Sequence, residues 1–314
     1  MAEKAEEEEH NVLVELGSYK GKLRVVNSSN DSEDSAAEEI MLLWGIQQPL
    51  LSKNNAFVAQ SSLQLCIDAC GRSLAILQSP SSLDIDNALQ ELFLSSFPSL
   101  VFHGCDSDSA PSGEVNVVMV KDGLLMGTPG VTGSVMWDSG VILGKFLEHS
   151  VELGTISLQE KKVIELGSGC GLVGCIAALL GARVILTDLP DRLRLLRKNV
   201  ETNLYGELKG SATVNELTWG YNLDPDLRDP SPDYVLGSDV IYSEEAVMDL
   251  LETLVDLCGR ETTIILAGEL RNDAILEYFL EAATKEFIVG RVDQNQWHPD
   301  YCSLRVVIYI LVKR

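Results

Sequence analysis

From residue 131 onward the apolar positions alternate between short runs and longer helical stripes. SVMWDSGVILGKFLEHS spaces its apolar residues for one face of a helix and stops before Gly154. VIELG, RVILTD, ATVNELTWG, PDYVLGSDVIY and TTIILAGEL then read as strands. GLVGCIAALLG, PDRLRLLRKNVETNLYG, EEAVMDLLETLVDLCG and NDAILEYFLEAATKE read as helices interspersed among them. Strands alternating with helices predict an α/β fold, a doubly wound and mostly parallel sheet covered on both faces. Two closing segments, FIVGRVD and LRVVIYILVKR, follow with no helix between them, which predicts an antiparallel hairpin at one edge and seven strands in all.

The first 130 residues are less regular. Residues 1–10, MAEKAEEEEH, form a charged tail for which disorder is expected. NVLVELGSYKGKLRVV alternates apolar and polar positions around Gly17 and Gly21, as short strands or a hairpin would. Residues 27–39 read as a polar linker, and EIMLLWGIQQPLL as a brief helix ended by Pro49. SSLQLCIDACGRSLAILQS resembles two strands around a turn at Cys70-Gly71. Residues 81–127, with one helix-like piece, a Ser/Asp/Pro/Gly loop and the strand-like VNVVMV, are read as an insertion. The expected organisation is therefore a tail (1–10), a smaller β-rich extension (11–130) and a main domain (131–314).

Composition narrows the function. A formal charge of −23 sets most of the surface against nucleic-acid phosphate. Seven cysteines without C-x-x-C spacing suit free thiols in a reducing compartment. The four histidines stand apart from one another and from the cysteines in sequence, so no metal site is expected. No apolar stretch approaches the ~20 residues of a membrane span, and the acidic start lacks the marks of a targeting peptide. A cytoplasmic location follows by elimination, with the nucleus as the other choice.

Chemistry is concentrated at VIELGSGCGLVGC, residues 163–175, where a strand runs into glycines and then a helix. Glycines there let a ligand approach backbone N–H groups at the helix start. Gly169 to Gly174 satisfies G-x-G-x-x-G, the dinucleotide pattern, and Glu165 to Gly171 satisfies E-x-G-x-G-x-G. A carboxylate at Glu165 would oppose a pyrophosphate and suit a nucleoside bearing an ammonium and a sulfonium. The competing role for Glu165 is a helix-capping or solvated residue. Asp188, ending the next strand, could hold ribose hydroxyls with either cofactor. Cys170 lacks the basic neighbour that a reactive thiolate requires.

The segments VTGSVMWDSGVILGKFLE, VIELGSGCGLVGC, VILTDLP, ELTWG and GSDVIYSEE occur in one order over residues 131–314. In that order they resemble the seven-β-strand, Rossmann-like class I methyltransferases, and among them the protein-lysine methyltransferases of the methyltransferase-like family twenty-one. The resemblance implies S-adenosylmethionine as cofactor and a lysine-bearing protein, such as a chaperone, an ATPase or a translation factor, as partner. It places Trp137, Gly167, Ser168, Gly169, Asp188, Trp219 and Ser238 around the cofactor with Glu165, and Asp239 and Tyr242 of D-x-x-Y beside the target amine. The bland readings are core packing for both tryptophans, and a strand-end acid with a packed tyrosine for the other pair. A monomer without nucleic-acid, membrane or metal partners is expected. Methylation of a small molecule, a non-catalytic nucleoside-binding module and a dinucleotide enzyme stay open.

Overall fold

The strand at the head of the glycine loop, VIEL, is buried on both faces, which only a sheet covered twice can provide. In the computed structural model, which describes residues 13–26, 35–46, 55–79 and 134–314, that strand is an inner strand of a nine-stranded sheet. The strands are β1 (Leu13–Leu16), β2 (Tyr19–Val26), β5 (Lys162–Leu166), β6 (Arg183–Asp188), β7 (Ser211–Glu216), β8 (Tyr234–Ser238), β9 (Thr263–Glu269), β10 (Phe287–Val292) and β11 (Val306–Lys313). Their order is β1-β2-β10-β11-β9-β8-β5-β6-β7. β9, β8, β5, β6 and β7 are parallel, and the rest pair antiparallel.

All seven expected strands are present, and β10–β11 is antiparallel as read. The hairpin is not at an edge, however. β11 inserts between β9 and β10, and β2 pairs with β10 through Val289↔Val26 to Val292↔Leu23. The β1–β2 hairpin, tightened at Gly17, thus extends the main sheet and takes the edge for itself.

Helices α2 (Asp138–Glu152), α3 (Leu172–Leu179) and α4 (Leu193–Asn203) cover one face; α1 (Ser35–Ile46), α6 (Glu244–Leu257) and α7 (Asp273–Glu286) cover the other. A short α5 (Pro225–Arg228) begins at Asp224, whose side chain accepts from the Asp226 N–H. Ser243 and Asn272 cap α6 and α7 in the same way, accepting from Ala246 and Ile275. α1 starts at Ser35, inside the stretch read as linker. Phe146 and Phe279 are fully buried on opposite faces, each contributing about 2–3 kcal/mol of apolar burial.

The strands expected around Cys70-Gly71 are β3 (Gln64–Ala69) and β4 (Arg72–Leu77), a separate two-stranded sheet on the outside of α2–α4. Two asparagines one turn apart on α4 hold it. Asn199 exchanges bonds with Leu77, 2.9 and 3.0 Å, and Asn203 with Ala75, 2.7 and 3.0 Å. Their amides complete β4 as a neighbouring strand would. Beyond β4 the Ser79 N–H donates to the Ser134 carbonyl at 2.7 Å. The acidic tail and the 81–127 insertion lie outside the described residues. The histidines, distant in sequence, do not all stay apart: the His149 and His298 rings meet at 5.7 Å.

Candidate active site

In an open parallel sheet the crevice for ligands lies beyond the carboxyl ends of the strands. Here β5, β6, β8 and β9 deliver the glycine loop, Asp188, Ser238–Asp239 and Glu269 to one end of the sheet. Gly167 has a left-handed φ of +60, and a Cβ there would stand 3.2 Å from Trp219 Cζ2 and from Val240 Cγ1. The indole therefore lies directly against bare backbone, and its ring centre is 6.2 Å from that of Tyr242. Tyr242 is 56% exposed, so one aromatic face remains open beside the glycine shelf.

Asp188 closes the far side of the shelf. Its Oδ2 accepts from the Gly169 N–H at 2.7 Å and its Oδ1 from the Leu189 N–H at 2.8 Å. Burial pushes its carboxyl above the usual range while these two N–H groups pull the other way. Each oxygen keeps a lone pair, which leaves the residue able to hold both the loop and a pair of hydroxyls.

Two expected residues turn inward instead. Glu165 is 1% exposed, and its Oε2 accepts from the Gly174 N–H at 3.1 Å in the first turn of α3. It does not face the crevice; the capping role is the one it takes. Its carboxyl nevertheless occupies an N–H at the helix start, a place where a pyrophosphate would have to bind, so the geometry still disfavours a dinucleotide. Ser168 is also turned in, its Oγ accepting from the Thr187 N–H at 3.1 Å and bracing β5 against β6. Cys170 is buried and its thiol is pushed up to about 12 by burial, so no thiolate forms.

Burial raises the Glu165 carboxyl from 4.5 to about 8, with the Ser168 and Gly174 hydrogen bonds opposing. The folded protein therefore binds a proton that the unfolded chain has released between these values, and stability falls as pH rises through that window. Glu165→Gln keeps the acceptor and removes the titration. Relative to that variant, the wild type is expected to lose about 1.4 kcal/mol per pH unit inside the window, measured by urea unfolding at pH 5.5, 6.5 and 7.5. Parallel stability–pH curves would contradict it.

On the β8–β9 side, Asp239 has a φ of +61 and its N–H donates to the Ala267 carbonyl at 2.8 Å. Its Oδ2 meets Arg271 Nη2 at 2.6 Å. Burial raises the Asp239 carboxyl, with Arg271 and the Glu269 N–H acting against it. Arg271 also reaches Glu269 at 3.2 Å and stacks on Trp137, guanidinium carbon 3.7 Å from the ring centre. Trp137 precedes α2, and Ser238 lies beside that helix's first turn, its Oγ 3.4 Å from where a Cβ on Gly140 would be. Sequence reading missed Arg271 and Glu269. The available signal was their place in GELRND at the carboxyl end of β9, the same position rule that picked out Ser238. Beside them runs a mostly apolar cleft lined by Ile241, Leu266, Leu270, Leu276 and Val307 together with Tyr242, Glu269 and Arg271.

The residues present fit a nucleoside cofactor. Trp219 packs on the bare backbone of Gly167 and puts an aromatic ring beside the loop, and Asp188 offers acceptors there.

A family model described as lysine methyltransferase matches residues 126–285. Mouse protein N-lysine methyltransferase METTL21A is 42% identical over 159 residues, covering 51% of this chain and 70% of that protein. Bovine protein-lysine methyltransferase METTL21E is 43% identical over 187 residues, 58% of this chain and 60% of that protein. EEF1A lysine methyltransferase 3 of Xenopus tropicalis is 34% identical over 162 residues, 51% of this chain and 69% of that protein. The chain belongs to the lysine methyltransferase family and is an S-adenosylmethionine-dependent enzyme of protein-lysine methylation.

Proposed function

We propose that the glycine shelf, Asp188, Trp219, Trp137 and Ser238 hold S-adenosylmethionine, and that Asp239 and Tyr242 orient a lysine amine arriving along the apolar cleft. The carrying observation is that Tyr242 borders both the shelf, through Trp219, and the cleft that Arg271 also lines. When bound, the cofactor supplies an electrophilic methyl group on a sulfonium. The amine must then present its lone pair in line, so the protein's work is alignment and removal of the ammonium proton to solvent. The apolar cleft favours the neutral amine by desolvation. Glu165 and Ser168 support the shelf from beneath instead of touching the ligand.

The target is a protein of the chaperone, ATPase or translation-factor type. The same reading makes residues 131–314 the catalytic unit, behind an acidic tail and an extension with its insertion at 81–127. It makes the enzyme a cytoplasmic monomer, the −23 charge disfavouring nucleic acid as substrate.

Incubation with radiolabelled S-adenosylmethionine and cell lysate is expected to label one or a few protein bands. Asp239→Ala should lower the rate about 100-fold, the cost of a misaligned nucleophile. Label confined to the low-mass fraction would instead support a small-molecule substrate. Tight S-adenosylhomocysteine binding with no label anywhere would support a binding module, and stabilisation only by a nicotinamide dinucleotide a dehydrogenase.

A further inference from the structure

Four charged side chains form one cluster beside the apolar cleft, which two of them, Glu269 and Arg271 at the end of β9, line; the others are Asp239 after β8 and Arg305 before β11. Arg305 reaches Glu269 at 3.3 Å, so two carboxylates face two guanidiniums and the cluster sums to zero. The other titratable groups nearby are engaged elsewhere or line the cleft. Asp138 of α2 accepts from the Ala56 and Phe57 N–H groups, while its own N–H donates to Glu269. Asp273 of α7 accepts from the Trp44 indole at 2.8 Å. Tyr242 also lines the cleft and feels the charges of Asp188 and Asp249.

We propose that Arg271 is a positioning residue that neutralises Asp239, so that the target lysine is held beside that carboxylate as the free amine. This rests on the lysine-methylation reading above. A lone carboxylate at the amine would favour ammonium, which has no lone pair to attack with, and free lysine titrates near ~10.4. A unit charge at this range shifts an amine by about one to two pH units once partial exposure is allowed for. The two bonds from Arg271 to Asp239 and Glu269, and its stack on Trp137, keep the compensating charge in place at the cleft lining.

The test is the pH profile of kcat, which reports groups in the enzyme–substrate complex, on the lysate protein that the wild type labels. Arg271→Met should move the acidic limb of kcat up by about one to two pH units, giving roughly two- to tenfold less activity at pH 7 and near-recovery at pH 9. Arg271→Lys should keep the wild-type limb. Arg271→Met combined with Asp239→Asn should be slower throughout, with its limb returned toward the wild-type position. Calorimetry gives a second readout: a peptide spanning the labelled lysine, bound at pH 7 with S-adenosylhomocysteine present, should release about one proton to wild type and much less to Arg271→Met. A uniform loss at every pH, or equal proton release, would overturn the proposal, and thermal melting would show whether Arg271→Met remains folded. If the wild type labels no protein, the lysine reading itself fails; if it labels and the limb stays put, only the role of Arg271 does.

Discussion

Asp188→Ala is expected to weaken S-adenosylhomocysteine binding by about 100- to 1,000-fold, by isothermal titration. The carboxylate holds the Gly169 and Leu189 N–H groups at 2.7 and 2.8 Å and is the acceptor at that side of the shelf. Removing it leaves the Gly169 N–H without its partner and any ribose hydroxyl without an anionic acceptor. Bonds to charged groups contribute about 1.5–3 kcal/mol each, so two lost to a ligand are worth roughly 3–4 kcal/mol. Asp188→Asn, which keeps one acceptor oxygen, should lose about tenfold. Binding by the alanine variant within threefold of wild type would remove Asp188 from the cofactor site.

The second large effect is on the fold. A Cβ at Gly174 would come within 2.4 Å of Leu186 Cδ2 and 2.6 Å of Glu165 Oε2. Gly174→Val has to push α3 off β6 and displace a fully buried carboxyl from the N–H that satisfies it. Overpacking costs about 1–3 kcal/mol and an unsatisfied buried group about as much again. A loss of roughly 3–5 kcal/mol in urea unfolding is expected, a sizeable share of ordinary domain stability. Retention of wild-type stability would mean that the contact between α3 and the sheet is loose.

The main sheet was legible because its central strands are buried on both faces and so stand out as apolar runs, whereas the helices carry one apolar stripe. Glu165 was the failure, and a rule existed to prevent it. Side chains alternate along a strand, Val163 packs on the α3 face and Ile164 on the opposite one, so Glu165 belongs under α3 with Val163. Its place before the glycines outweighed that parity. The hairpin's position was not legible, since adjacency of β10 and β11 in sequence fixes their pairing but not which of them joins β9. Only its place at the carboxyl end of β9 marked Arg271, because its partners, Asp239 and Trp137, stand 32 and 134 positions away in the chain.

The bond between Ser79 and Ser134 sets the cost of changing the length of chain between them. The backbone departs at Ser79 and is fastened again to itself at Ser134. Closing a longer chain segment between two joined ends costs only about 0.6 kcal/mol more per doubling of its length. The number of residues between the two serines can therefore change at small entropic cost while their 2.7 Å join is kept.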